Sequence, residues 1–345
     1  MSTQRSRARA LVESGLGTVE SFVKRHGPTD RHWNDELLRD AQAADVIDVV
    51  TTDGAKLRVH AYGPATADPI VLIHGWTCRI EYWNPQINVL SSKHRVIVFD
   101  QRGHGKSDLG KRKASAEVLA DDLAAVLQAT IRPRKKAVLV GHSMGGMTIM
   151  AWAAKYPEQV SRYASAAILT NTGADELLSN TTVIPFLSSV KNVQKAVGRY
   201  VIGAPVPLAP VRPLTHSVFK ARIMSPTSSR EQVDFCLRIA TACKGRARGA
   251  WGIALADIDV VAGLRNLAVP TSVVGGSVDN LTPPSHSVRL AEALDAAGHL
   301  DRLTILPGIG HMGNVEAPEA FNAEVVRMRT LSKRRRARTT AAAAG

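Results

Sequence analysis

The sequence predicts an α/β protein built on a mostly parallel sheet with helices on both faces. Short, continuous, β-branched runs recur along the chain, amphipathic stretches separate them, and glycine-containing turns stand at several junctions. Continuous apolar runs suit strands buried on both faces, and alternation of strand with helix implies right-handed crossovers between parallel neighbours. With 345 residues, 45% of them hydrophobic, the chain is long enough for one large domain or two small ones.

The elements follow in order. Residues 1–44 read as an N-terminal helical extension: Leu11, Val12, Leu16, Val19, Phe22 and Val23 share one helical face, weakened by Gly15 and Gly17. This face suits a helix docked on the domain or one lying at a membrane surface. Glu13 and Glu20 interrupt the stretch where a signal peptide would need its apolar core, so the mature chain is expected to start near Met1. From residue 45 the pattern turns to β. Val46–Val50 and Leu57–Tyr62 flank Thr52-Asp53-Gly54 and predict a hairpin. Pro69–Ile73, Val96–Phe99, Ala137–Val140, Ala166–Thr170, Thr271–Gly275 and Arg302–Leu306 complete a set of eight strands. Helices are expected over Glu81–Leu90, Ser115–Thr130, Gly145–Tyr156, Ser285–Ala297 and Pro318–Thr330. Residues 173–250 break this rhythm. They are proline-rich with helical pieces, and read as an insertion between two parts of one core, 45–172 and 251–330.

The net charge of +14 is concentrated. Residues 327–345 hold seven basic groups and no acid, and residues 173–250 hold eleven basic against four acidic groups; these two regions account for the whole excess. The composition is too apolar for a disordered chain, and no apolar run reaches the roughly 18 residues of a transmembrane helix. Cys78, Cys236 and Cys243 are too few for a disulfide scaffold, have no metal-ligand spacing, and fit a reducing, cytoplasmic setting. Cys236 and Cys243 are spaced for one helical face and read as core. Residues 331–345, basic and then alanine-rich, read as a disordered tail.

The sharpest chemical signal is Gly141-His142-Ser143-Met144-Gly145, a G-x-S-x-G between an expected strand and an expected helix. That setting is the nucleophile elbow, a tight turn that lifts the serine hydroxyl clear of the sheet. A side chain at either glycine would collide with the turning backbone.

Here the chain resembles the α/β-hydrolase superfamily over roughly residues 45–330. His74-Gly75-Trp76 follows a strand where such enzymes place an oxyanion donor. Asp100-Gln101-Arg102-Gly103-His104-Gly105-Lys106-Ser107 is similar to their D-x-R-G-x-G-x-S turn. Gly276–Pro283 is similar to their G-x-x-D-x-x-x-P acid loop, and Gly308-Ile309-Gly310-His311 to their histidine loop. The resemblance implies the α/β-hydrolase fold, an eight-stranded, mostly parallel sheet with an inserted, largely helical cap over 173–250. It implies a Ser143, Asp279, His311 triad in the chain order of this fold. His311 would take the Ser143 proton, and Asp279 would hold the imidazole. Backbone N–H groups of Trp76 and Met144 would bind the oxyanion. Cys78, Leu281 and Met312 are candidates for the substrate pocket, although Cys78 also reads as a buried inert thiol. His142, His74, Asp100 and His104 are read as structural. Asp257 and Asp259 are read as carboxylates at a helix start.

The expected activity is serine hydrolysis of carboxylic esters, as an esterase or small-lipid lipase, on a small-molecule acyl substrate without cofactor or metal. The alternatives are hydrolysis of another carbonyl bond (C–C, amide, lactone or thioester), cofactor-free haloperoxidase or perhydrolase chemistry, and a non-catalytic binding protein on the same fold. Apolar cap residues such as Leu177, Phe186, Val201 and Phe219 are candidates for an acyl tunnel. The basic cap and tail leave open a peripheral contact with anionic membrane. No motif interleaves aromatics with these charges, which argues against specific nucleic-acid binding.

Overall fold

The structure is a computed structural model and describes residues 35–42, 45–177 and 213–344. The expected apolar helix over 11–23, Phe186 and Val201 of the expected tunnel, and much of the expected cap lie outside the described residues.

Eight strands form one sheet in the order β1-β2-β4-β3-β5-β6-β7-β8. The first two, β1 (Asp45–Val50) and β2 (Lys56–Tyr62), form the expected antiparallel hairpin. β2 also pairs antiparallel with β4 (Arg95–Phe99). All other pairings are parallel, through β3 (Pro69–Ile73), β5 (Ala137–His142), β6 (Ala164–Thr170), β7 (Thr271–Gly276) and β8 (Leu300–Leu306).

Alternate side chains of the central strands serve two separate cores, which explains their unbroken apolarity. Val71, Ile73, Ile97, Phe99 and Leu139 face one layer with α3 (Ala116–Thr130) and α4 (Met144–Lys155). Ile70, Leu72, Val96, Val98, Val138 and Val140 face the other. That second layer holds Tyr82 and Trp83 of a 3-10 turn, α2 (Asn84–Leu90), and Phe321, Val325 and Met328 of the C-terminal helix. A four-residue α1 (Asp35–Leu38) packs on α2. The expected helix over 81–90 is divided at Asn84, with Pro85 in the first turn of α2, where the missing N–H costs nothing. Ser115 caps α3 by accepting the Val118 N–H. α5 (Pro157–Tyr163) leads into β6.

Between β6 and β7 the described residues form α6 (Pro213–Ile223), α7 (Arg230–Thr241), α8 (Gly245–Ala256) and α9 (Ala262–Asn266). α8 runs through residue 250, so the expected boundary there cuts a helix. Trp251 explains why α8 adheres to the core: it is fully buried and its indole N–H donates to Arg102 O at 2.7 Å. Cys236 is buried on α7, whereas Cys243 lies beyond that helix and is only partly buried, so the two are not one core face.

After β7 come α10 (Pro284–Ala296), β8, α11 (Gly313–Glu316) and α12 (Pro318–Ala344). The expected disordered tail is instead a continuation of α12. Its first turns are anchored by the burial of Phe321, Val325 and Met328 in the second core, and Lys, Arg and Ala then propagate a helix at little cost. Among the described residues no helix is long and apolar enough to cross a membrane.

Candidate active site

The parallel strands β3, β5, β6, β7 and β8 all deliver their C-terminal ends to one edge. Consecutive strands step away from β3 in opposite directions, to β4 on one side and β5 on the other. Ligands of open α/β sheets bind in the crevice at such a switch point. His74–Trp76 leaves β3 and Ser143 leaves β5, so both lie there.

Ser143 has φ 52° and ψ −120°, a conformation a non-glycine residue holds at a cost of about 1–3 kcal/mol. Its backbone is fixed on both sides: its N–H donates to Thr170 O at 3.0 Å, and its carbonyl accepts from Thr172 Oγ1 at 2.7 Å and Gly146 N at 2.9 Å. A Cβ on Gly141 would stand 2.6 Å from the Gly146 nitrogen, so the elbow closes only with glycine there. The Ser143 side is half-buried, and among the described residues its hydroxyl makes no hydrogen bond.

Asp279 and His311 meet as expected. His311 Nδ1 lies 2.9 Å from Asp279 Oδ2 and 3.1 Å from Oδ1, with both side chains at most 4% exposed. The carboxylate accepts four further bonds: the Leu281 and Thr282 N–H groups, each at 2.9 Å to Oδ1, and Thr282 Oγ1 at 2.8 Å and Asn171 Nδ2 at 3.0 Å to Oδ2. Burial works to raise its pKa, but the His311 charge and these bonds outweigh it and hold the group below the ordinary carboxylate value. The ring nitrogen facing an ionised carboxylate carries the proton, leaving Nε2 as the basic nitrogen.

The neighbouring histidines are structural, as expected. His74 donates from Nδ1 to Gly75 O at 2.8 Å and accepts the Gln101 N–H on Nε2 at 3.0 Å, which shapes the loop carrying Trp76. His142 donates from Nε2 to His311 O at 2.8 Å, and the two rings lie 4.9 Å apart. Burial lowers His74 to about 4 and His142 to about 3, so both are neutral near pH 7. His104 is lowered to about 3 for the same reason. Asp100, with a fully buried side chain, accepts the Ile80 N–H at 2.7 Å and the Lys106 N–H at 2.9 Å, and pairs with Arg58.

The oxyanion candidates follow the C-terminal ends of two adjacent parallel strands, Trp76 after β3 and Met144 after β5. Met144 is the first residue of α4, where an N–H has no intrahelical acceptor. Trp76 is half-buried, and its indole N–H donates to Arg248 O on α8 at 3.0 Å, so its ring is tied to the insertion rather than free. The pocket candidates separate. Cys78 and Met312 pack in the apolar layer with Tyr82, whose hydroxyl donates to Met312 Sδ at 3.2 Å, and burial pushes the Cys78 thiol up. Cys78 is thus the buried thiol of its two readings. Leu281 remains half-buried beside Asp279. Asp257 caps the C-terminus of α8 rather than a helix start, whereas Asp259 does accept the Val261 N–H just before α9.

Three contributors are missing from the sequence reading. Asn171, at φ 45°, also donates to Gly310 O at 3.1 Å and so ties the acid loop to the histidine loop. Its sequence signal is a polar residue directly after a buried strand on the functional edge. Thr282 sits inside the recognised acid loop. Glu316 gathers the amides on either side of His311.

A family model described as alpha/beta hydrolase fold matches residues 68–193. The 3-oxoadipate enol-lactonase 1 of Acinetobacter baylyi is 26% identical over 79% of this chain and 92% of its own length. The 2-(acetamidomethylene)succinate hydrolase of Mesorhizobium japonicum is 27% identical over 73% of this chain and 84% of its own. A thermophilic esterase from Thermogutta terrifontis superposes with a TM-score of 0.66 at 24% identity, covering 84% of this chain and 99% of that one. The strand order, the elbow at the switch point and these likenesses agree: the chain has the α/β-hydrolase fold.

Proposed function

We propose that the protein is a serine hydrolase that cleaves carboxylic esters through an acyl-enzyme on Ser143. The observation that carries this reading is the buried Asp279–His311 pair, 2.9 Å apart, on the same sheet edge as the strained Ser143. His311 Nε2 takes the hydroxyl proton as Ser143 Oγ adds to the ester carbonyl carbon. The Trp76 and Met144 N–H groups receive the developing oxyanion; such a donor is worth on the order of 10²–10³ in rate. The tetrahedral species collapses with cleavage of the carbon–oxygen bond, and the imidazolium returns its proton to the leaving alcohol. Water, deprotonated by His311, then adds to the acyl carbon, and Ser143 leaves with the proton as the carboxylic acid is released. Asp279 stays ionised throughout and stabilises the imidazolium. The segment between β6 and β7 acts as a cap that shapes the acyl pocket, which Trp76 reaches through its bond to Arg248 O.

The test is hydrolysis of p-nitrophenyl esters of increasing chain length, with fluorophosphonate labelling. Wild type is expected to be labelled on Ser143, and Ser143→Ala to lose both labelling and hydrolysis. Full ester hydrolysis by Ser143→Ala would refute the proposal. A panel with higher kcat/KM for lactones, amides or thioesters than for simple esters would keep the mechanism and replace the substrate class.

A further inference from the structure

Asp279 holds only the Nδ1 edge of the His311 ring. The backbone that carries the ring is held elsewhere, by Glu316 at the end of α11. Glu316 Oε1 accepts the Met312 N–H at 2.9 Å and Oε2 accepts the Gly310 N–H at 3.1 Å, so the amides on both sides of His311 converge on one carboxylate. Oε2 also accepts the Ser225 N–H at 2.6 Å and the Ser228 hydroxyl at 3.0 Å. Between them, the His311 N–H donates to Ile223 O at 2.8 Å, and Gln232 Nε2 donates to Val315 O at 2.9 Å. A Cβ on Gly310 would stand 2.6 Å from the Met224 carbonyl carbon, so the histidine loop lies directly on the chain that joins α6 to α7.

Glu316 is 3% exposed, and a carboxylate so placed costs several kcal/mol unless its oxygens are filled. Burial raises its pKa, and the four donors pull against that. Bonds to a charged acceptor are roughly twice as strong as neutral ones, so the ionised group is a stiffer clamp than an amide.

We propose that Glu316 is a positioning residue: it fixes the main chain of Gly310–Met312, keeps the His311 imidazole in register with Asp279 and Ser143, and locks that loop to residues 223–228 of the insertion. This rests on the reading of His311 as the base. Glu316→Gln keeps the shape, yet its NH2 must face at least one of the four donors whichever way the amide turns. Glu316→Ala removes every acceptor.

The experiment measures kcat and KM for p-nitrophenyl acetate, the fluorophosphonate labelling rate, and thermal stability, on the full chain. Displacement of a catalytic group by about 1 Å costs about 10²-fold. The expected result is a kcat loss of about tenfold for Glu316→Gln and about a hundredfold for Glu316→Ala, with KM within about twofold and labelling slowed in parallel. Glu324→Gln is the control, because Glu324 is also buried but bonds Ser272 at the opposite end of β7 and pairs with Arg302 and Arg327. It is expected to lose stability and keep kcat. If Glu316→Ala does not fold, Glu316→Gln decides. Folded Glu316 variants with kcat within about threefold of wild type, or an equal kcat loss in Glu324→Gln, would overturn the proposal. Retained activity in His311→Ala would instead overturn the reading of the base.

Discussion

Gly75→Ala tests how tightly the site is packed. Gly75 does not have a positive φ, so alanine suits its backbone and the effect is steric. The new methyl would stand 2.9 Å from His142 Nδ1, 3.1 Å from Ser143 Cβ and 3.3 Å from His142 Cε1. Carbon pairs prefer about 3.5–4.0 Å, so the Ser143 contact is short by about 0.4–0.9 Å. Neither neighbour yields easily. The Ser143 backbone is bonded on both sides, and the His142 ring is fixed by its 2.8 Å bond to His311 O. Relief must therefore push the nucleophile candidate, or the ring that holds the backbone of the base candidate, by a sizeable fraction of an ångström. Overpacking costs about 1–3 kcal/mol, and a shift of this size is expected to lower kcat about 10- to 100-fold. The assay pairs kcat on p-nitrophenyl acetate with a thermal melt. A variant with unchanged melting temperature and kcat within about threefold would show that the Gly75 face is not packed against these groups.

Other outcomes follow from the same geometry. Asn171→Ala removes one donor to Asp279 and one to Gly310; a bond to a charged group is worth about 1.5–3 kcal/mol, so denaturant titration at pH 7 is expected to show a loss of that order, with kcat also reduced. An unchanged denaturation midpoint would exclude it. Lowering the pH below the ordinary histidine value protonates His74, His104 and His142 in the unfolded chain only, because burial holds their folded values at about 4, 3 and 3. Stability is fully present above about pH 6.5 and is lost as pH falls toward those folded values, by up to about 1.4 kcal/mol per pH unit for each histidine. His104→Gln should flatten that slope in denaturant titrations between pH 4 and 6 (about one proton fewer); an identical slope would contradict it. Truncation after Ser332 removes five basic residues, and kcat and KM are expected to stay within about twofold, since that end of α12 contacts Ser165 at the start of β6, away from the functional edge. A large fall in kcat would refute that separation.

Much of this protein is legible in the sequence because its determinants are local. The eight strands, their buried character, the hairpin at Asp53-Gly54 and the elbow around Ser143 each follow from a short run of residues whose periodicity or turn chemistry admits few structures. Asp279 and His311 are legible through the resemblance of Gly276–Pro283 and Gly308–His311 to the superfamily's acid and histidine loops, and the parallel sheet delivers both loops to one edge. The extent of α12 is not legible in the sequence, because a basic, alanine-rich run looks the same whether it is solvated coil or the continuation of a helix already buried at Met328 and Ser332.

What only the tertiary structure decided is which groups hold the site in place. Asn171, Thr282 and Glu316 are unremarkable polar residues until the sheet brings four separate loops together and leaves a buried carboxylate or a bare amide that each must satisfy. Hydrogen-bond partners at large sequence separation carry no periodicity and no spacing, so no reading of the chain alone can pair Asn171 with Asp279 or Glu316 with Ser225. The sequence determines the candidate chemical groups and the edge on which they stand; tertiary packing decides their separations, their ionisation and the stiffness with which they are held.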